Sequence, residues 1–180
     1  MLFDYSDCEH RYANTYQLTQ ALKKNRIYRI ERGIYADTPH VSELAVIQKK
    51  YPKAIFTTES AFFYHGLTTD IPDYYHIATP SKAARLNDAR IKQVFVPEKI
   101  FPLGMEIREY EGTTIQIYDK ERMLIELLRC KSKLPYDYYK EILRRYREIV
   151  DQLDIARIQE YATIFPKSKI LWKRLDEEVF

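Results

Sequence analysis

The chain has 180 residues, 46% of them hydrophobic, and its 29 Lys and Arg against 26 Asp and Glu leave a net charge of +3. That is enough to build a real core in one large domain, or in a medium domain with a small module attached, but too little net charge to argue for a polyanionic partner from global balance. Two distant cysteines, Cys8 and Cys130, with no CxxC and no paired histidine exclude a disulfide framework and fit a reduced, cytoplasmic protein, while four glycines argue against a nucleotide-cradling loop.

No apolar run approaches the roughly 18 residues of a membrane span. The first ten residues carry Asp4, Asp7 and Glu9 and no cation, which does not read as a signal peptide. The charge is unevenly spread. Residues 11–36 hold Arg11, Lys23, Lys24, Arg26, Arg29 and Arg32 against Glu31 alone, so nearly all the positive excess lies in one short window. Such a window is the footprint expected of a small nucleic-acid binder.

The stretch YSDCEHRY (5–12) predicts a short helix, with Ser6 as a possible cap. NTYQLTQALKKN (14–25) predicts a second, capped by Asn14 or Thr15. Leu18, Ala21 and Leu22 form its apolar stripe, and Tyr16, Gln20 and Lys23 centre the opposite face, flanked by Gln17, Thr19 and Lys24. That face offers amides, hydroxyls and ammoniums able to meet base edges and phosphates, or simply water. NRIYRIERGIYAD (25–37) then predicts a basic hairpin. Tyr28 and Ile30 share one strand face, Arg29 and Glu31 point away, Gly33 makes the turn, and Ile34, Tyr35 and Ala36 return. A polar-faced helix followed by a basic hairpin is the order of a winged helix-turn-helix, although charges on an edge hairpin also serve simply to block aggregation.

DTPHV (37–41) reads as a linker and places a domain boundary near residues 37–40. Beyond it the pattern predicts a helix over 42–52, a buried strand over 54–57 and a short helix over 58–66 that ends at Gly66. Strands follow over 73–80 and 91–97, with a polar loop between them, and a hairpin over 105–119 turns near Glu111-Gly112. From 120 onward the pattern is helical, with helices over 120–131, 136–150, 153–165 and 167–179. The sixteen tyrosines are spread along the whole chain, which fits half-buried packing better than a stacking platform.

No enzymatic constellation emerges. His10, His40, His65 and His76 have no metal-ligand spacing, and His65 reads as a favourable charge at a helix C-terminus. Ser60 sits in TESAF rather than GxSxG, Glu98 and Lys99 are adjacent rather than on one strand face, and no phosphate-gripping GKS occurs. The sequence calls for no metal and no cofactor.

Taken in order, ALKKNRIYRIERGIYAD, YPKAIFTTESAFFYHGLTTDIPDYYHIATP, GTTIQIYDKERMLIELLR and the helical tail resemble AbiEi-family antitoxins of type IV toxin–antitoxin systems, over about residues 6 to 175. The resemblance implies an α+β protein: a small, reduced winged helix-turn-helix over 1–38, then a larger mixed α/β antitoxin domain over 39–180 with an all-helical C-terminal part. It implies a transcriptional repressor that binds duplex DNA at inverted repeats in its own promoter, and an antitoxin that counters a nucleotidyltransferase-like toxin without a stable complex. The DNA-binding residues would be Asn14, Thr15, Tyr16, Gln17, Thr19, Gln20, Lys23, Lys24, Arg26, Arg29, Arg32 and Gly33. Two departures stand out. Family members usually place three helices before the wing, and here only two precede it. The family also tends to write R-T-L-x-D where this chain has Met123 in the hydroxyl's place and Glu126 as the acid. The rival reading is a protein-interaction module that binds a toxin or another partner through its tyrosine-rich surface, with an incidental basic hairpin.

Overall fold

A computed structural model describes all 180 residues and gives an α+β protein with eight α-helices and two sheets. The chain divides into two compact units. One is Met1–Lys53 with the hairpin tip Glu109–Ile115, and the other is Ala54–Arg108 with Gln116–Phe180.

The first unit runs β1 (Leu2–Asp4), α1 (Tyr5–Tyr12), α2 (Thr15–Lys23), β2 (Tyr28–Glu31), β3 (Ile34–Ala36) and α3 (Glu43–Lys50). Its strands form an antiparallel sheet in the order β1-β3-β2. The two helices and the hairpin fall where the sequence places them. The strand β1 was not expected, because three residues are too few to show a period. The cap of α1 also differs from expectation. Asp4, not Ser6, accepts from the Asp7 backbone, and Asp7 answers on the Asp4 N–H, which closes a capping box.

Phe3, Cys8, Leu18, Ala21, Ile27 and Tyr35 make the core of this unit. The helix α3 packs against β1 and β3 and buries Leu44, Val46 and Ile47. The boundary expected near residues 37–40 therefore falls inside the compact unit, which continues to Lys53. Residues 37–42 are irregular, as a linker should be, yet the helix that follows them belongs to the sheet before it.

A five-stranded mixed sheet, in the second unit except for the Glu109–Ile115 tip of its last hairpin, has the order β6-β5-β4-β8-β7 and is built from β4 (Ile55–Phe56), β5 (Tyr75–Pro80), β6 (Ile91–Val96), β7 (Met105–Tyr110) and β8 (Thr113–Tyr118). β5 and β6 run parallel but are joined by residues 81–90 without a helix. Gln93 compensates, because its amide bonds Thr79, Ala84 and the Leu86 N–H and so supplies partners that a helix would have supplied internally. The helices are α4 (Thr58–Tyr64), α5 (Lys120–Cys130), α6 (Tyr136–Glu148), α7 (Ile155–Ile164) and α8 (Ser168–Glu178), with α5 packed against the other four.

Tyrosines fasten this bundle. Tyr146 of α6 donates to the Lys120 carbonyl at the start of α5, Tyr139 of α6 to Glu178 of α8, and Tyr161 of α7 to Asp119, the N-cap of α5. Each ring fills core volume while its hydroxyl is satisfied, which accounts for three of the sixteen tyrosines. Around Asp119, the fully buried Arg122 stacks between Tyr118 and Phe165, donates to the carbonyls of Ile100 and Leu103, and pairs with Glu126 at 3.2 Å. The acid of the R-M-L-I-E stretch thus serves a buried ion pair. The Met123 sulfur lies 4.0 Å from the Thr57 hydroxyl.

His65 corrects the expectation of a charged helix end. It caps α4, is 7% exposed, donates from Nε2 to the Tyr118 carbonyl and accepts from Arg108 at Nδ1. Burial, reinforced by Arg108 and Lys120, lowers its pKa from 6.5 to about 4, so it is neutral. Burial lowers His76 to about 4 as well. Unfolding restores ordinary imidazoles, so between about pH 4 and 6.5 the unfolded chain binds protons that the folded chain refuses. The stability held by the neutral rings is full above pH 6.5 and falls as the pH drops toward 4. His65→Gln can keep both hydrogen bonds without titrating. Denaturant titrations across this range are expected to show a shallower acid decline in that variant, and an unchanged slope would contradict the assignment.

The dependence of the first unit on α3 gives a second test. Residues 1–40 alone lie near the size at which a domain needs a staple or a partner. Circular dichroism is expected to show no cooperative melting for fragment 1–40 and a cooperative transition for fragment 1–53. A cooperative transition in the shorter fragment would show that α3 is dispensable.

Candidate nucleic-acid interface

Helix α2 is started by Asn14, whose side chain accepts from the Gln17 N–H at 2.9 Å. It ends at Lys24, and Asn25 follows with φ of 52°, the left-handed conformation that lets the chain leave the helix. The Arg26 N–H returns to the Ala21 carbonyl, and Ile27, 1% exposed, anchors the junction in the core. These local choices put α2 and the β2–β3 hairpin in immediate succession. Leu18 and Ala21 face the core as the stripe requires, and Leu22 packs on the same cluster.

The opposite face of α2 is free of the core. Tyr16 is 71% exposed, Thr15, Gln17, Thr19 and Lys23 are exposed, and Gln20 is half-buried. Not all of these side chains are equally available. Asn14 spends its carbonyl oxygen on the cap, and Thr19 donates its hydroxyl proton to the Thr15 carbonyl at 2.8 Å. Tyr16, Gln17 and Gln20 make no such side-chain bond to their own helix.

On the hairpin, Arg29 lies opposite Tyr35 and is exposed, and the register shifts between Arg29 and Glu31. Such a bulge increases local twist and turns side chains out of the plain alternation. Arg32 is exposed in the turn, and Gly33 follows at φ of 79°.

The ion pairs decide the electrostatics of this face. Lys49 of α3 bonds Asp7 at 2.6 Å and Asp4 at 3.2 Å, Lys50 bonds Glu31 at 3.1 Å, and the N-terminal amine pairs with Asp37. The Asp7 carboxyl is held below its usual pKa chiefly by the Lys49 hydrogen bond. Four carboxylates are thus paired with three cations outside α2 and the hairpin, Lys49 being shared by Asp4 and Asp7, and none of these pairs engages Lys23, Lys24, Arg26, Arg29 or Arg32. The five cations expected to contact phosphates stay available on consecutive elements of one unit. Sequence reasoning missed the part played by Lys49 and Lys50. Their only signal was position, as two lysines in the last turn of a helix that read as part of another domain.

The chain matches no protein-family model and no curated protein. No helix is long and apolar enough to cross a membrane, and no group of three or more His, Cys, Asp and Glu side chains is placed to hold a metal ion.

A Cβ at Gly33 would meet nothing within 4 Å, so any penalty for a side chain there comes from the backbone alone. At φ of 79°, Gly33→Val is expected to cost about 1–2 kcal/mol. Gly33→Asn should cost less, because Asn tolerates the left-handed region. Denaturation midpoints of the two variants check this, and equal stability of Gly33→Val and the parent would show that the turn does not depend on positive φ.

Proposed function

We propose that this protein is a cytoplasmic, DNA-binding autorepressor and antitoxin of the AbiEi type, in which α2 enters the major groove and the β2–β3 hairpin acts as the wing. The observation that carries the reading is the set of five cations on α2 and the hairpin that stay outside the ion pairs formed by their own unit. The element order supports it. A strand, two helices and a hairpin whose return strand pairs with the first strand fit the order of a winged helix that lacks its first helix, and α3 packs on β1 and β3. Gln17 and Gln20 are assigned to base edges, with Tyr16 and Thr19 beside them, and Lys23, Lys24, Arg26, Arg29 and Arg32 to the backbone or minor groove. Asn14 and Thr15 start the helix, where backbone N–H groups also suit a phosphate. The second unit is assigned to toxin neutralisation.

The protein-interaction reading has its own support in the second unit, where Ile71, 78% exposed, lines an acidic recess with Glu59, Asp70 and Asp73. Under that reading alone, the basic face would be incidental.

A salt titration with duplex DNA from upstream of the chain's own gene separates the two. Arg29→Ala and Arg32→Ala are each expected to weaken binding by about 1 kcal/mol at low salt and to lower the slope of log K against log salt by about one. Melting temperatures should barely move, since exposed charges contribute little to folding. Unchanged slopes in both variants would remove the hairpin from the DNA backbone, and no upstream binding at all would favour the interaction module.

A further inference from the structure

The helical part of the second unit contains a cavity of about 270 Å³ lined by Arg129, Lys133, Lys167 and Arg174, together with Ser132 and Ile170. Four of its lining residues are cationic and none is acidic. Two of the cations are held in place by bonds to their surroundings. Arg129 bonds Glu126 at 2.8 Å, and Arg174 donates to the Leu128 carbonyl near the end of α5. Glu126 does not balance the site, because it also serves the buried Arg122 at 3.2 Å. Lys133 and Lys167 are exposed and enter none of the unit's ion pairs.

The backbone adds to this charge. Helix α8 begins at the cavity, and Lys167, Ile170, Leu171 and Arg174 of its first turns all line it. Its N-cap, Lys167, takes φ of 63° and gives no side-chain cap; its carbonyl accepts from the Ile170 and Leu171 N–H groups, so only the Ser168 and Lys169 N–H groups are left for an outside acceptor. The helix end therefore adds its positive dipole to a ring of cations. Ile170 and Leu171 supply an apolar wall beside the charges.

We propose that this cavity binds a small phosphate monoester, with the phosphate on Lys133, Lys167 and the start of α8 and the organic body against Ile170. Arg129 and Arg174, already fixed by other bonds, line the recess and add positive charge to it without being reordered when a phosphate meets the lysines. The volume lies just below the range of about 300–1,000 Å³ typical of drug-sized ligands, so the site suits a compact ligand of about one phosphate and one ring system. A nucleic-acid strand needs cations along an extended track, whereas these converge on one recess. The proposal is independent of the basic face on the first unit.

The test is calorimetric titration of the full chain, in low-salt buffer free of phosphate and sulfate, with AMP, inorganic phosphate and adenosine as probes. AMP is expected to bind more tightly than phosphate, and adenosine not at all. The double variant Lys133→Gln/Lys167→Gln should weaken AMP at least about tenfold, with unchanged circular dichroism and melting temperature because both side chains are exposed. Lys169→Gln, on the same helix but off the cavity, should leave AMP binding as it is. The double variant should also bind upstream duplex normally, which separates this proposal from the repressor reading. Absence of AMP binding, equal binding of adenosine and AMP, or parent-like AMP affinity in the double variant would each overturn the proposal. So would loss of duplex binding in the double variant, which would make these lysines part of a nucleic-acid surface instead.

Discussion

Lys49 and Lys50, at the end of α3, hold Asp4, Asp7 and Glu31 in ion pairs, and the character of the first unit depends on that arrangement. Partly exposed pairs of this kind contribute up to about 1 kcal/mol each, so their chief effect is not stability. They decide which charges remain. The carboxylates of β1, α1 and β2 are met by ammoniums from α3, and the cations of α2 and the hairpin are left facing solvent. The same helix buries Leu44, Val46 and Ile47 and packs on β1 and β3, so one element both covers the sheet and pairs its acids. A unit with two helices before its hairpin is thus completed from downstream in the chain.

The second unit is organised around a different constraint. Arg122 has no solvent at all, and its guanidinium is shared among two carbonyls, Glu126 and two aromatic faces. Taking a cation out of water is costly unless every side of it is met, and here nearly every side is. Asp119, one turn away, gathers the Arg122 N–H and the Tyr161 hydroxyl, and its burial raises its carboxyl pKa. A Cβ at Gly104 would lie 2.7 Å from the Arg122 Cβ, so the chain passes as close to this node as a glycine allows. Tyr146 and Tyr161 tie the bundle to the start of α5, and Tyr139 ties it to the end of α8.

The elements that could be read from the sequence were those long enough to show a period or closed by a strong signal. The stripe of Leu18, Ala21 and Leu22, the glycine turns at Gly33 and Gly112, and the four C-terminal helices all reappear in the structure. What could not be read was set by distant partners. β1 is three residues long and exists because Ile34 to Ala36 lies beside it. His65 looked like a charged helix end because its sequence neighbours say nothing of Tyr118 and Arg108, which bury and neutralise it. Arg122 sits among Met123, Leu124, Leu127 and Leu128 and carried one legible sign, a glutamate four residues on in an otherwise apolar run. For the basic face, the residues were visible in the sequence. That their own acids are occupied elsewhere was not, because the lysines responsible lie beyond an apparent linker.

The central claim is that one face of the first unit, α2 with its hairpin, is a duplex-binding surface. The most direct measurement is an amide chemical-shift map of the full chain titrated with duplex DNA from upstream of its gene. The account predicts salt-sensitive shifts confined to residues 14–33, largest around Gln17, Gln20, Arg29 and Arg32, with α3 and residues 54–180 little affected. Shifts concentrated in 54–180, or no shifts at low salt, would contradict it.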